Sequence, residues 1–131
     1  MASLPNPSVP VSWGELLDKI SILEIKRERI VRDDARANVA REHSLLSRIG
    51  AGALDQDGVG GLFRRLRTVN EELWEIEDAI RRQEAEHAFG ADFVRLARSV
   101  YIKNDERAAL KREINVTLES ELMEEKSYAA R

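Results

Sequence analysis

The chain has 131 residues, of which 34% are charged, 43% hydrophobic and only 5% aromatic. That size and balance allow one domain with a modest core, and they favour a small helical bundle over a sandwich or barrel. A formal net charge of -3, from 21 Lys+Arg against 24 Asp+Glu, argues against general affinity for nucleic acid or anionic membrane. With Cys at 0, disulfides, thiolate metal sites and cysteine nucleophiles are excluded. No window approaches the roughly 20 apolar residues of a membrane span. The N-terminus has no apolar run with a basic flank, so no signal peptide is expected. The expected compartment is the cytoplasm.

Residues 1–11 hold Pro5, Pro7 and Pro10, which exclude helix and predict an extended segment before a single domain over 12–131. Ser12-Trp13-Gly14-Glu15 matches the capping box, with Val11 and Leu16 at the positions of a hydrophobic staple. A helix therefore starts at Trp13. The pattern carries it to Arg48, where Gly50 offers a left-handed stop. A break near Asp33-Asp34 is the alternative, since either aspartate can cap a new helix. Ile22 and Ile25 lie opposite the Leu16, Ile20 and Leu23 face. In a three-helix chain that second apolar side calls for another burial surface, and a partner subunit meeting Ile22 and Ile25 is the simplest one.

Gly50 to Gly61 reads as a flexible loop with five glycines and no periodicity. It matches neither a phosphate-binding loop nor a dinucleotide fingerprint, and no cofactor is expected. Over 62–87, Leu62, Leu66, Val69, Leu73, Ile76 and Ile80 repeat at four and three, the seam of a left-handed, coiled-coil-like bundle. A turn at Phe89-Gly90 leads to a last helix over 92–123. The architecture read from these signals is all-α, three long helices with antiparallel neighbours.

The last helix carries the anomaly. Its inner seam runs Phe93, Ala97, Val100, Asn104, Arg107, Lys111, Ile114 and Leu118. The ends are apolar and the centre is an amide with two cations. Buried unpaired charge is costly, so the centre needs water, partners or a ligand. Counting back from the turn sets Glu77 and Asn70 against it, with Asn38 on the first helix at a similar level. The candidate site is therefore Asn104, Arg107, Lys111, Glu77 and Asn70. It reads as an ion-pair network that sets helix register, as a solvated face, or as a pocket for a small anion. In the last case Arg107 grips a carboxylate or phosphate through its fork and Lys111 acts as a point charge. His43 and His87 form no paired metal motif, although Glu84-x-x-His87 is one half of a di-iron pattern, and no metal site is expected. The acidic run Glu71, Glu72, Glu75, Glu77 and Asp78 resembles the magnesium-holding clusters of all-α pyrophosphohydrolases, but most of it points away from the seam.

Two resemblances follow from these residues. The segment from Leu16 to Leu23 resembles the opening helix of the all-α chorismate mutases. Where that family has substrate-binding arginines, this chain has Leu17 and Asp34, so the chemistry does not carry over. Most of the chain resembles an uncharacterised family of small bacterial helical proteins. The matching blocks include Ser12-Trp13-Gly14-Glu15-Leu16, Asp18-Lys19-Ile20, Asn70-Glu71-Glu72-Leu73, Asn104-Asp105, Lys111-Arg112-Glu113-Ile114-Asn115 and Glu124-Glu125-Lys126-Ser127-Tyr128. That resemblance implies no catalytic residue. The expected function is a non-enzymatic interaction or assembly module, a homodimer with protein partners. The alternative is a binding protein or enzyme for a carboxylate, phosphate or nucleotide sugar at the polar layer.

Overall fold

The computed structural model describes residues 3–128. They form four helices in the order α1 (Trp13–Arg29), α2 (Asp33–Leu54), α3 (Val59–Ala85) and α4 (Ala91–Thr117). The class is all-α, and the described residues contain no strand. The count is four rather than three, because the first long helix is broken.

That break has a local cause. Two β-branched residues, Ile30 and Val31, precede a pair of aspartates, and Ile30 leaves the helix with φ -76 and ψ 129. Asp33 and Asp34 then occupy the first turn of α2, where negative charge meets the positive end of the helix dipole. At the start of α1, Ser12 Oγ accepts from the Glu15 amide at 3.1 Å, as the capping box requires.

Gly50 does not stop a helix. It lies buried inside α2, where an added Cβ would come within 2.8 Å of Ile20 Cδ1. The missing side chain is a notch that lets α1 close on α2. The expected loop from Gly50 to Gly61 shrinks to a turn after Leu54, with Gly58 in the left-handed region (φ 82) before α3. The last helix ends at Thr117, earlier than expected. Glu119 is left-handed (φ 52), and the Ser120 amide donates to the Asn115 carbonyl at 2.8 Å, closing a Schellman-type cap.

α1 is the centre of the molecule, in contact with α2, α3 and α4. Eight of its 17 residues are buried: Gly14, Leu16, Leu17, Asp18, Ile20, Ser21, Leu23 and Ile25. Of the two residues expected at a dimer contact, Ile25 is covered within the chain (1% exposed) and Ile22 is half-buried. The core joins Leu16, Leu17 and Ile20 of α1 to Val59, Leu66 and Val69 of α3 and Leu110 and Ile114 of α4. α1 ends beside α3, with Arg29 paired to Glu75 and lying 5.9 Å from the Trp74 ring. α3 continues for ten residues beyond Glu75, a rise of about 15 Å. With α4 it forms an arm.

Candidate functional site

The polar layer lies where α1 crosses α3 and α4. Its floor is Asp18, 2% exposed. Arg107 reaches it from α4 as a fork, Nε donating to Oδ1 at 2.9 Å and Nη2 to Oδ2 at 2.5 Å. From α3, Asn70 Nδ2 donates to the same Oδ1 at 3.0 Å and to Ser21 Oγ at 2.8 Å. The Ser21 hydroxyl in turn donates to the Asp18 carbonyl at 2.7 Å. Arg107 Nη1 makes a long contact of 3.4 Å to Asn104 Oδ1. Charge-assisted, bidentate pairs of this kind are among the strongest hydrogen bonds proteins make.

One turn along α4, Lys111 is buried with its ammonium between two carboxylates, Glu15 and Glu124, each at 2.8 Å. Burial pushes the Lys111 ammonium down, but the hydrogen bonds to Glu124 and Glu15 outweigh it and hold the group above its usual range. Lys111 in turn holds the Glu124 carboxyl below its usual range. The hydrogen bond to Asp18 keeps the Arg107 guanidinium more firmly protonated than usual, against its own desolvation.

The start of α1 is closed by the end of α4. The Gly14 amide donates to Asn115 Oδ1 at 2.6 Å and the Trp13 amide to Ser120 Oγ at 3.3 Å. Helix N-termini leave such amides open, and here another helix answers them. The contact is so close that a Cβ on Gly14 would sit 2.5 Å from the Lys111 carbonyl oxygen. Only glycine fits. No buried side-chain nitrogen or oxygen among the described residues lacks a partner.

Of the expected site residues, the structure brings together Asn104, Arg107, Lys111 and Asn70. It leaves out Glu77, which is exposed and pairs with Arg81 at 3.7 Å on its own helix. The Glu72–Lys103 bridge at 2.7 Å sets the register of the hairpin, and five residues nearer the turn Glu77 is level with Arg98, not Arg107. Asn38 is exposed on α2 and accepts from Arg41 at 3.2 Å. The carboxylates that matter, Asp18, Glu15 and Glu124, were missed. A signal for Asp18 exists in the run Gly14, Asp18, Ser21 and Ile25, whose four-three-four spacing puts two polar residues on a buried stripe.

Four of the five residues of the acidic run on α3 form ion pairs within the chain. Glu71 meets Arg67 at 3.0 Å, Glu72 meets Lys103, Glu75 meets Arg29 and Glu77 meets Arg81. Arg67 also bridges to Glu24 at 2.8 Å and Glu28 at 2.5 Å, which raises its already high pKa further. His43 lies 3.0 Å from Arg27 and 3.5 Å from Glu24, while His87 sits in the α3–α4 turn. Among the described residues, no group of three or more His, Cys, Asp or Glu is placed to hold a metal ion. None of the described helices is long and apolar enough to cross a membrane.

A family model described as a family of unknown function, DUF6165, matches residues 8–131. The chain belongs to DUF6165. Its polar layer, the arm and the segment after α4 all fall inside the part that defines DUF6165. No curated protein matches the chain, and no solved structure does.

Proposed function

We propose that this DUF6165 protein is a non-enzymatic assembly module whose α3–α4 arm docks on a second copy of the chain. The observation that carries the reading is a gap in burial. From Glu71 to Ala109 no residue is buried, although the stretch includes Leu73, Trp74, Ile76, Ile80, Phe93, Leu96, Val100, Tyr101 and Ile102. Val94 and Tyr101, seven residues apart and so on one side of α4, are 51% and 55% exposed. A two-helix arm of this length gains little from propensity and needs packing to hold it. Exposed apolar stripes of this kind mark contact surfaces.

Charge favours a second copy as the partner. Over 71–86, α3 and its cap carry Glu71, Glu72, Glu75, Glu77, Asp78, Glu84 and Glu86 against Arg81 and Arg82. Over 91–103, α4 carries Arg95, Arg98 and Lys103 against Asp92 alone. An acidic helix laid along the basic helix of another copy matches sign to sign in both directions, as a two-fold interface requires. Among the described residues, Glu84 and Glu86 on one side and Arg98 on the other make no ion pair within the chain.

Light scattering across a concentration series tests the reading. The expected outcome is a dimer for the wild type and a folded monomer for Val94→Glu with Tyr101→Glu. A wild type that stays monomeric at its highest soluble concentration overturns it.

A further inference from the structure

A second ionic cluster flanks the break between α1 and α2. It surrounds a recess of about 380 Å³, lined by Glu24, Arg27 and Glu28 of α1, Arg36 and His43 of α2, and Arg67 of α3. Every lining side chain can carry charge, and none belongs to the polar layer around Asp18.

The carboxylates of this recess are already matched. Arg67 bridges to Glu24 at 2.8 Å, to Glu28 at 2.5 Å and, outside the recess, to Glu71 at 3.0 Å. Two of the cations are not. Arg27 Nη1 lies 3.0 Å from His43 Nδ1 and pairs with no carboxylate, and the Arg36 guanidinium makes no polar contact among the described residues. Arg36 and His43 are seven residues apart, on one side of α2, so the two unmatched guanidiniums and the imidazole share one space. Counting Glu71, three guanidiniums balance three carboxylates, and His43 is the group whose charge can change.

His43 is neutral in this arrangement. A guanidinium only donates, so Nδ1 accepts from Arg27 and the ring proton sits on Nε2, 3.5 Å from Glu24 and 3.3 Å from Ser47 Oγ. A second proton does two things at once. It gives the recess a net positive charge, on a side chain only 15% exposed, where water screens poorly. It also turns Nδ1 into a donor, so Arg27 loses its acceptor. The other charged groups lining the space, Glu24, Glu28 and Arg67, are engaged with one another.

We infer that this recess is a proton-linked site for a dianionic oxyanion, the phosphoryl group of a small phosphomonoester. Arg27 and Arg36 grip it from α1 and α2, and protonated His43 donates to it from Nδ1. One arginine fork matches a carboxylate, whereas a phosphoryl group presents three acceptor oxygens and up to about two charges. The anion favours the protonated ring, so binding takes up a proton and strengthens as pH falls. Every lining residue lies outside the α3–α4 arm, so this inference does not rest on the assembly reading.

The test uses the full chain at low ionic strength with sulfate, glycerol phosphate and acetate as probes. Sulfate keeps its double charge throughout, so a pH dependence of its binding belongs to the protein. It is expected to bind about fivefold tighter at about pH 6 than at about pH 8, the range in which histidine changes charge. By reciprocity, saturating sulfate should raise the His43 titration midpoint, followed by ring-proton NMR, by roughly one pH unit. His87, in the α3–α4 turn, is the internal control and should stay where it is. Arg36→Met has no ion pair to lose, so it should melt like the wild type and bind sulfate at least about tenfold more weakly. A His43 midpoint that ignores sulfate, or that moves no further than that of His87, overturns the inference. Unchanged sulfate affinity in Arg36→Met does the same. Glycerol phosphate is expected to bind more tightly than sulfate and acetate more weakly. Reversal of either order overturns the choice of a phosphomonoester.

Discussion

The two halves of the α3–α4 hairpin have similar sequences of apolar residues and different fates. Near α1, Leu66, Val69, Leu110 and Ile114 are all at most 6% exposed. Beyond the end of α1, Ile76, Ile80, Phe93 and Val100 keep the same four-three spacing and are only half-buried. The difference is a third helix. Two helices in contact cover one stripe of each other and leave the rest to water, whereas a third laid in their groove removes both flanks from solvent. α1 occupies that groove as far as Trp74 and Glu75, and it brings the polar layer with it. The fold thus splits into a packed end with a satisfied ionic centre and an arm stabilised by one interface.

The largest expected effect tests the ionic centre. Arg107→Met leaves Asp18 buried without its fork and should cost about 3–5 kcal/mol in denaturant unfolding. Adding Asp18→Leu should recover more than half of that, since no charge is then stranded. If the double variant is as unstable as the single one, the layer is not held together by this pair. A middle-sized effect tests the contrast between the halves. Measured in the monomeric background of Val94→Glu with Tyr101→Glu, Ile114→Ala, at 0% exposed, should cost about 2–5 kcal/mol, while Ile80→Ala in the arm should cost under about 1 kcal/mol. Amide exchange of that monomer should show the same ranking, with 76–100 opening before α1. Equal losses in the two halves of the monomer would mean that the contrast in burial does not carry over into stability.

The smallest effect is on pH. Glu124 is held below its ordinary value near 4.5, so its contribution is present above that value and fades as pH falls through the lowered one. Lys111 is held above its ordinary value near 10.5, so its contribution is present below that value and fades as pH rises through the raised one. Stability from the pair should therefore be flat between these limits. Glu124→Gln should flatten the acid limb by under about 1 kcal/mol, as Glu124 is partly solvated. A melting series from acid to neutral pH that leaves the acid limb unchanged in the variant would mean that the Glu124–Lys111 pair does not stabilise the folded chain.

Local signals carried the helix starts well and the helix stops less well. Ser12 and Glu15 announce α1 because a capping box works through backbone amides three residues away. Gly50 misled, since a glycine placed for Ile20 to pack against looks the same in sequence as one that ends a helix. The polar centre of α4 was legible because Asn104, Arg107 and Lys111 interrupt an apolar seam at helical spacing. Their partners were not legible. Asp18 and Arg107 are 89 positions apart, and a chain with 24 acidic residues offers many carboxylates for each cation.

By itself, then, the sequence determined what depends on near neighbours: an all-α chain, a capped first helix, an amphipathic α3, and a cationic middle in α4 that had to be answered. The tertiary structure alone decided which carboxylates answer it, that Glu77 is not among them, and where α1 ends. Those outcomes depend on how far one helix slides along another. That slide is set by interlocking side chains such as the Gly14 and Gly50 notches, and no spacing within a single helix encodes it.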